Sequence, residues 1–355
     1  MSFDTKYRPM TFDDVLGQSG TIEVIKSFIR KGIGFHHSYM FAGPYGSGKT
    51  TLGRITARAL LCENPVDGSP CDKCHSCVEI LKGESINFVE VDAATNSGKD
   101  QIRKILEELQ YTTFSGKRRI YLFDESHQLS KDALDAMLKP MEDCVQGSED
   151  KMLVCIFCTT EPEKMRTTIL SRCAPAFLIR PMTSEDIAKR LAFVCESEGI
   201  DFDLEVLPLI AEFCELHIRD ALKAIEGVSM LGKIDRVTAN RYLRLDANAQ
   251  FSDVLGSLKS DPKTSFEVLS NLKNDMSPVA CYKKLIEICM SSYHYHIGIP
   301  SKSIYWSSDS LSALGDMYGP LLIEFTHYLS SRPSRPTFSM LQCDLAYLHK
   351  LANPS

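Results

Sequence analysis

Three short stretches carry residue types whose spacing could do chemistry. GPYGSGKT at 43–50 fits G-x-x-x-x-G-K-[ST]. In such a loop the backbone N–H groups and the start of the next helix can cradle phosphates. Lys49 can then reach the β- and γ-phosphates, and the Thr50 hydroxyl can hold Mg²⁺. About 75 residues on, IYLFDESH carries Asp124 and Glu125. One carboxylate there could position Mg²⁺ through water, and the next could orient and deprotonate an attacking water. The third stretch, CENPVDGSPCDKCHSC, spaces Cys62, Cys71, Cys74 and Cys77 as C-x8-C-x2-C-x2-C. Read by itself, that spacing suits a metal cage, a redox pair with extra thiols, or scattered core cysteines.

Elements that could position these groups are visible around them. YMFAG at 39–43 is a short apolar strand, and a helix is expected from about Lys49 to Leu61. The alternation continues with strand NFVEVD at 87–92, helix DQIRKILEELQ at 100–110, strand RRIYLFDE at 118–125, a helix from about Ser130 to Glu142, and strand MLVCIFCTT at 152–160. Apolar strands separated by helices imply a parallel sheet covered on both faces, with Asp124 and Glu125 at its carboxyl edge, where ligands of such sheets sit. From about Ser184 the pattern changes to amphipathic helices, SEDIAKRLAFVCESEG, LEVLPLIAEFCELH and IRDALKAIEGVSML, and residues from about 245 onward are helix-rich without a chemical motif.

Composition limits the classes of function. With 355 residues the chain exceeds a single core, so two or three domains are expected. It holds 44% hydrophobic and 24% charged residues, as a globular protein does. There is no apolar run of membrane-spanning length, and MSFDTKYRPM lacks the core of a signal peptide, so a cytoplasmic protein with no membrane contact is expected. In a reducing compartment 13 cysteines are not a disulfide framework, which turns a tight cluster toward metal. The net charge of −6 means that nucleic acid would have to meet a local basic surface.

Several motifs in order, KYRPMTFDDVLGQ, HHSYMFAGPYGSGKT, the cysteine cluster, VDAATNSGKDQIR, YLFDESHQLS, TTEPEK, TILSRC and IRDAL, make residues 1–240 resemble the gamma/tau subunit of the bacterial DNA polymerase III clamp loader, an AAA+ ATPase, in a bacterial or phage-encoded version. The resemblance implies an α/β P-loop AAA+ domain over 1–180 with a zinc module at 62–82, a helical lid over 181–243 and a helical collar over 244–355. It implies ATP, Mg²⁺ and Zn²⁺ as cofactors. The adenine pocket would map onto Tyr7, Arg8, Pro9, Val15 and Leu16, and the phosphate loop onto Gly43, Pro44, Tyr45, Gly46, Ser47, Gly48, Lys49, Thr50 and Thr51. Thr159 or Thr160 would sense the γ-phosphate, Arg172 would be an arginine finger acting on a neighbour, and Arg219 a second sensor on the lid.

The same resemblance makes Cys62, Cys71, Cys74 and Cys77 four zinc ligands, and four thiolates leave no position open for water, so the metal would be structural. The other nine cysteines read as core residues, with Cys155 and Cys158 on opposite faces of their strand, and His294 and His296 as structural. Asn96, Ser97, Gly98, Lys99 and Arg103, with Lys164, are the DNA-contact candidates. The implied role is a motor subunit in a five-subunit ring with delta- and delta-prime-like subunits, including contacts between like chains, that opens a sliding clamp and loads it on primer-template DNA. A delta-prime-like stator and a branch-migration helicase are the alternatives. Ser126, Pro140 and Arg166 depart from the family pattern, and the long tail of the tau form is not expected after residue 355.

Overall fold

A computed structural model describes residues 1–31, 38–95, 118–146, 152–173, 176–243, 250–274, 276–299, 305–332 and 336–353. Five parallel strands form one sheet: β1 Ser38–Ala42, β2 Phe88–Asp92, β3 Arg118–Asp124, β4 Met152–Thr159 and β5 Ala176–Leu178, in the order β2-β3-β4-β1-β5. Because β4 separates β1 from β3, the phosphate loop after β1 and the acidic pair after β3 end at the same edge, two strands apart. Register fixes this: Ala42 pairs with Thr159, and Phe123 with Phe157.

Strands β1, β3 and β4 are buried on both faces, which is why they read as continuous apolar runs, whereas the edge strands β2 and β5 keep exposed residues. Helices α1 Phe3–Lys6, α2 Ser19–Lys31, α3 Lys49–Leu61 and α4 His75–Lys82 precede or follow the first strands, and α5 Lys131–Gln146 lies between β3 and β4. One core cluster joins Ile22, Ile25 and Ile29 of α2 and Leu52 and Ile55 of α3 to Ile120, Leu122, Ile156 and Cys158. The other joins Ala133, Leu134, Met137 and Met141 of α5 to Tyr121, Phe123, Cys155 and Phe157. Cys155 and Cys158 thus lie on opposite faces, as the two-residue strand period requires.

Three features depart from the expected alternation. Helix α5 runs to Gln146 straight through Pro140 instead of stopping near Glu142. Proline deletes one N–H donor, while the buried side chains of Met137 and Met141 hold the helix to the sheet on either side of it. Strand β5 is three residues long, too short for a period of its own, and is recruited by pairing with β1 and by stacking of Phe177 on Phe41 at 5.5 Å. Helix α2 was not part of the alternation; its apolar Ile22, Ile25 and Ile29 follow the helical spacing. The helix expected over 100–110 lies outside the described residues.

The chain forms two compact units, Met1–Val194 with Cys214–Lys223, and Cys195–Phe213 with Ala224–Ser355. The first holds the sheet, and the partition runs through the 181–243 segment expected as a separate lid. The second contains the helices Phe251–Leu258, Pro262–Leu272, Pro278–His296, Ser308–Tyr318, Leu321–Ser330 and Phe338–Ala352 around one apolar core. Inside it the buried Asp344 carboxylate accepts from Tyr282, from Tyr328 at 3.1 Å and from Arg332 Nε at 3.0 Å, so the charge is fully compensated. Among the described residues no helix is long and apolar enough to cross a membrane.

Helix α3 owes its closeness to the sheet to Gly53, where an added Cβ would lie 2.8 Å from Leu122 Cδ1 and 3.2 Å from Cys158 Sγ. A glycine inside a helix ordinarily costs about 1 kcal/mol relative to alanine. Here the contact reverses the gain: Gly53→Val should destabilise the protein by about 1–3 kcal/mol through overpacking. Urea denaturation checks this; a midpoint equal to or above that of the parent protein would contradict the close approach.

Candidate functional site

The loop between β1 and α3 is shaped for an anion. Gly48 has φ +94°, in the left-handed region open to glycine, and immediately precedes the first turn of α3, whose N–H groups have no partners within the helix. Lys49 is buried, and its ammonium donates to the Pro44 carbonyl at 2.9 Å. Burial pushes its pKa down from the usual lysine range, against the upward pull of Glu125, Cys158 and Asp124. A cation desolvated in this way gains strongly from a phosphate placed beside it.

Thr50 Oγ1 donates to both oxygens of Asp124, at 2.9 and 3.0 Å. This places a hydroxyl and a carboxylate within reach of one ion, a hard oxygen set of the kind Mg²⁺ prefers. Glu125 follows with φ 46°, a left-handed conformation rare for a side-chain-bearing residue. Its N–H donates to Asp124 Oδ1 at 3.1 Å. The turn is tied down by Ser126, wholly buried, whose hydroxyl donates to the Cys158 carbonyl at 3.1 Å. Ser126, one of the departures from the family pattern, therefore supplies an anchor.

A solvent-open cleft lies beside these groups, within the first unit. Its walls include Tyr7, Arg8, Pro9, Val15, Leu16, the loop residues Tyr45 to Thr51, Asp124, Glu125 and Arg219. The structure thus brings the expected adenine, phosphate, metal and lid residues around a single space. Gly43 and Pro44 stand behind it, with the Gly43 N–H donating to the Thr159 carbonyl at 3.1 Å. Thr159 is wholly buried, whereas Thr160 donates to Glu125 Oε2 at 3.2 Å. Of the two threonines, Thr160 is the one bonded to a cleft-lining carboxylate.

Arg172 lies outside the cleft lining. Its guanidinium is bonded to Glu142 and donates to the Thr168 carbonyl at 2.7 Å. Arg166, the third departure, pairs with Asp135 of α5. Lys164 is exposed and paired with Glu161 at 2.5 Å. Asn96, Ser97, Gly98, Lys99 and Arg103 lie outside the described residues.

Sequence patterns did not reveal several cleft residues: Asp4, Asp14, Met182, Arg190, Ile218 and Leu222. Arg190 donates to the Tyr7 carbonyl at 2.6 Å and so pins the segment that carries Tyr7, Arg8 and Pro9. Asp14, despite burial, is held below the usual carboxylate range by hydrogen bonds from Thr11 and Met10 and by the charge of Arg190. His217 packs edge-on against Tyr45 at 5.2 Å. Ile218 and Leu222 flank Arg219 at helical spacing, the one signal that could have found them.

The Sγ atoms of Cys62, Cys71, Cys74 and Cys77 lie within 4.8 Å of one another, with Cys62 and Cys74 at 3.9 Å. Zinc–thiolate bonds of about 2.3 Å set the tetrahedral edge at about 3.8 Å, so the cluster is compatible with zinc. Backbone N–H groups of Lys73 and Cys74 lower the Cys71 thiol to about 6, while burial raises Cys62 and Cys77. His75 points to Glu79 at 3.5 Å and is not in the cluster. Arg58 of α3 pairs with Asp72 at 3.1 Å, fastening the cysteine loop to the helix that starts at the phosphate loop.

Comparison with known proteins bears on what this site belongs to. The protein-family model described as DNA polymerase III, delta subunit, matches residues 17–182. DNA polymerase III subunit gamma of Buchnera aphidicola subsp. Acyrthosiphon pisum is 32% identical over 296 residues, which span 82% of this chain and 79% of that protein. The chain belongs to the DNA polymerase III gamma/tau family. Within this family, subunit gamma of Buchnera aphidicola subsp. Baizongia pistaciae is 35% identical over 64% of this chain and 60% of its own length. For subunit tau of Escherichia coli the figures are 35%, 61% and 33%. The chain therefore spans about three-fifths or less of those two relatives. Among solved structures, the Thermotoga maritima RuvB Holliday junction branch migration motor matches with a TM-score of 0.50 at 15% identity, covering 72% of this chain and 80% of that one, a likeness of fold.

Protein purified without chelator should carry about one zinc per chain, and Cys74→Ser should lower both metal content and thermal stability. Elemental analysis checks this, and a metal-free, equally stable parent protein would contradict it.

Proposed function

We propose that this chain is an ATP-hydrolysing motor subunit of a clamp loader. The observation that carries the reading is the meeting, at one edge of the sheet, of buried Lys49, the Thr50–Asp124 pair and the strained Glu125 around a single cleft. Tyr7, Arg8, Pro9, Val15 and Leu16 would take the adenine, and the loop from Gly43 to Thr51 the phosphates. Lys49 would face the β- and γ-phosphates, Glu125 would orient and deprotonate the water, and Thr160, with Thr159 behind it, would sense the γ-phosphate. Thr50 and Asp124 would hold Mg²⁺, which supplies neutralisation of charge on the phosphate oxygens.

Arg219 would close a lid formed by residues 181–243 over the nucleotide, and residues 244–355 would form the oligomerising collar. The zinc module at 62–82 has a structural role in this reading: four thiolates complete the metal's coordination and cross-link a segment without strands. Arg172 is the finger offered to a neighbour's nucleotide in a five-subunit ring with delta- and delta-prime-like chains. Its partner Glu142 would give way to a γ-phosphate, since both are anions competing for one guanidinium. The ring would open a sliding clamp and close it on primer-template DNA, with Asn96, Ser97, Gly98, Lys99, Arg103 and Lys164 toward the duplex. The match to a delta-subunit family model favours a second reading, a non-hydrolysing stator. Retention of Lys49, Thr50, Asp124 and Glu125 supports the motor instead.

Lys49→Ala should remove ATP binding while leaving the thermal melt within a few degrees of the parent; undiminished affinity in a titration would sink the ATPase reading. Arg172→Ala should bind ATP normally, yet in an assembled complex hydrolysis at the adjacent site should fall by about 10³-fold. Mixing mutant and parent subunits and locating the silent site decides this: loss confined to the mutated chain's own site would mean that Arg172 does not act on a neighbour.

A further inference from the structure

Behind the acidic turn sits His127, with a side chain 9% exposed. Its Nε2 lies 3.2 Å from Glu161 Oε1. In the neutral ring, a hydrogen on Nε2 serves the closer Glu161 carboxylate, which can only accept, and Nδ1 is then left as an acceptor. Nδ1 lies 3.2 Å from Thr159 Oγ1, whose hydroxyl therefore donates to it. Thr159 Oγ1 in turn accepts the Glu161 N–H at 3.1 Å. Three residues from two strand ends thus close a ring of hydrogen bonds, with the second Glu161 oxygen taken by Lys164. Such closed polar networks hold one geometry.

The ring bears on Glu125 in two ways. It fixes the end of β4, and the next residue, Thr160, donates to Glu125 Oε2 at 3.2 Å. The same Oε2 lies 3.5 Å from His127 Nδ1, whose lone pair is already taken by Thr159 and offers the carboxylate no hydrogen. Glu125 is therefore steered to Thr160 and kept from folding back onto the imidazole. Neither Glu161 nor His127 lines the cleft.

We propose that His127 is a positioning residue for hydrolysis: held in the Nε2–H tautomer by Glu161, it locks Thr159 and, through Thr160, sets the orientation of the Glu125 carboxylate. This rests on the hydrolytic reading of the site given above. It adds that turnover depends on a side chain that touches neither nucleotide nor metal.

The test is steady-state ATP hydrolysis by the chain assembled with the other clamp-loader subunits of its source, read beside ATP binding. His127→Ala should lower kcat by about 10- to 100-fold, the effect of a misplaced catalytic group, with KM and ATP affinity within about twofold of the parent. His127→Asn, whose amide oxygen can stand where Nδ1 accepts from Thr159, should recover most of the loss. An alanine variant with parental kcat, or an asparagine variant no better than alanine, would overturn the proposal. If the parent complex binds ATP and does not hydrolyse it, the hydrolytic reading fails instead. A measurement independent of turnover is the nitrogen NMR spectrum of labelled histidine, assigned by the resonance lost in His127→Asn. It should show hydrogen on Nε2 alone, with mixed tautomers in Glu161→Ala; hydrogen on Nδ1 in the parent protein would overturn the inference whatever the kinetics.

Discussion

The short bond from the Thr50 hydroxyl to Asp124 is the constraint on which the rest of the site depends. It joins the first turn of α3 to the end of β3, two strands away in the sheet, and it exists because β4 is interposed between β1 and β3 in strict parallel register. Shifting any one strand by a residue would turn its inward and outward side chains over. The hydroxyl would then face a different carboxylate or none. Packing on both sheet faces therefore determines chemistry at the edge. The two apolar clusters, one under α2 and α3 and one under α5, hold that register.

Around this bond the molecule tolerates two local costs. Glu125 takes a left-handed backbone conformation, a cost of order 1–3 kcal/mol. Lys49 is an ammonium with little water, facing two carboxylates and a backbone carbonyl. Both are held by neighbours that are themselves satisfied, Ser126 on the Cys158 carbonyl and Asp124 on Thr50. Groups kept in unfavourable states by a rigid frame are preorganised for charge that arrives with a ligand. The second unit manages its buried charge differently, by surrounding Asp344 with two tyrosines and Arg332.

Legibility in the sequence followed the range of the interactions. The phosphate loop, the acidic pair and the four thiols are set by contiguous residues, and their positions in the structure match the reading from residue order. Strands β1, β3 and β4 were visible as apolar runs because both their faces are buried, and the edge strand β2 showed only as the stretch FVEVD. Strand β5 was invisible, since its existence depends on β1 as a partner. So were Arg190, which reaches Tyr7 across 183 positions of sequence, and the His127–Thr159–Glu161 ring, which spans 32 to 34 positions. Choosing between Thr159 and Thr160 needed the side chains' partners. The helix expected to about Glu142 runs on to Gln146, with Met137 and Met141 packed on the sheet on either side of Pro140.

The distribution of thiols through the fold sorts the cysteines by reactivity toward electrophiles. Burial raises Cys158 well above the usual thiol range, Cys173 and Cys289 to about 12, and Cys195 and Cys281 to about 11, so each is a protonated, shielded and slow nucleophile. Cys71, at about 6, is largely thiolate at neutral pH and half-exposed. An alkylating or oxidising agent meeting metal-free protein would therefore spend itself on the 62–77 loop before reaching Cys158 beneath α3. That loop is fastened to the same helix by the Arg58–Asp72 pair. Of these thiols, Cys71 would thus react before Cys158, which packs against Gly53 beneath α3.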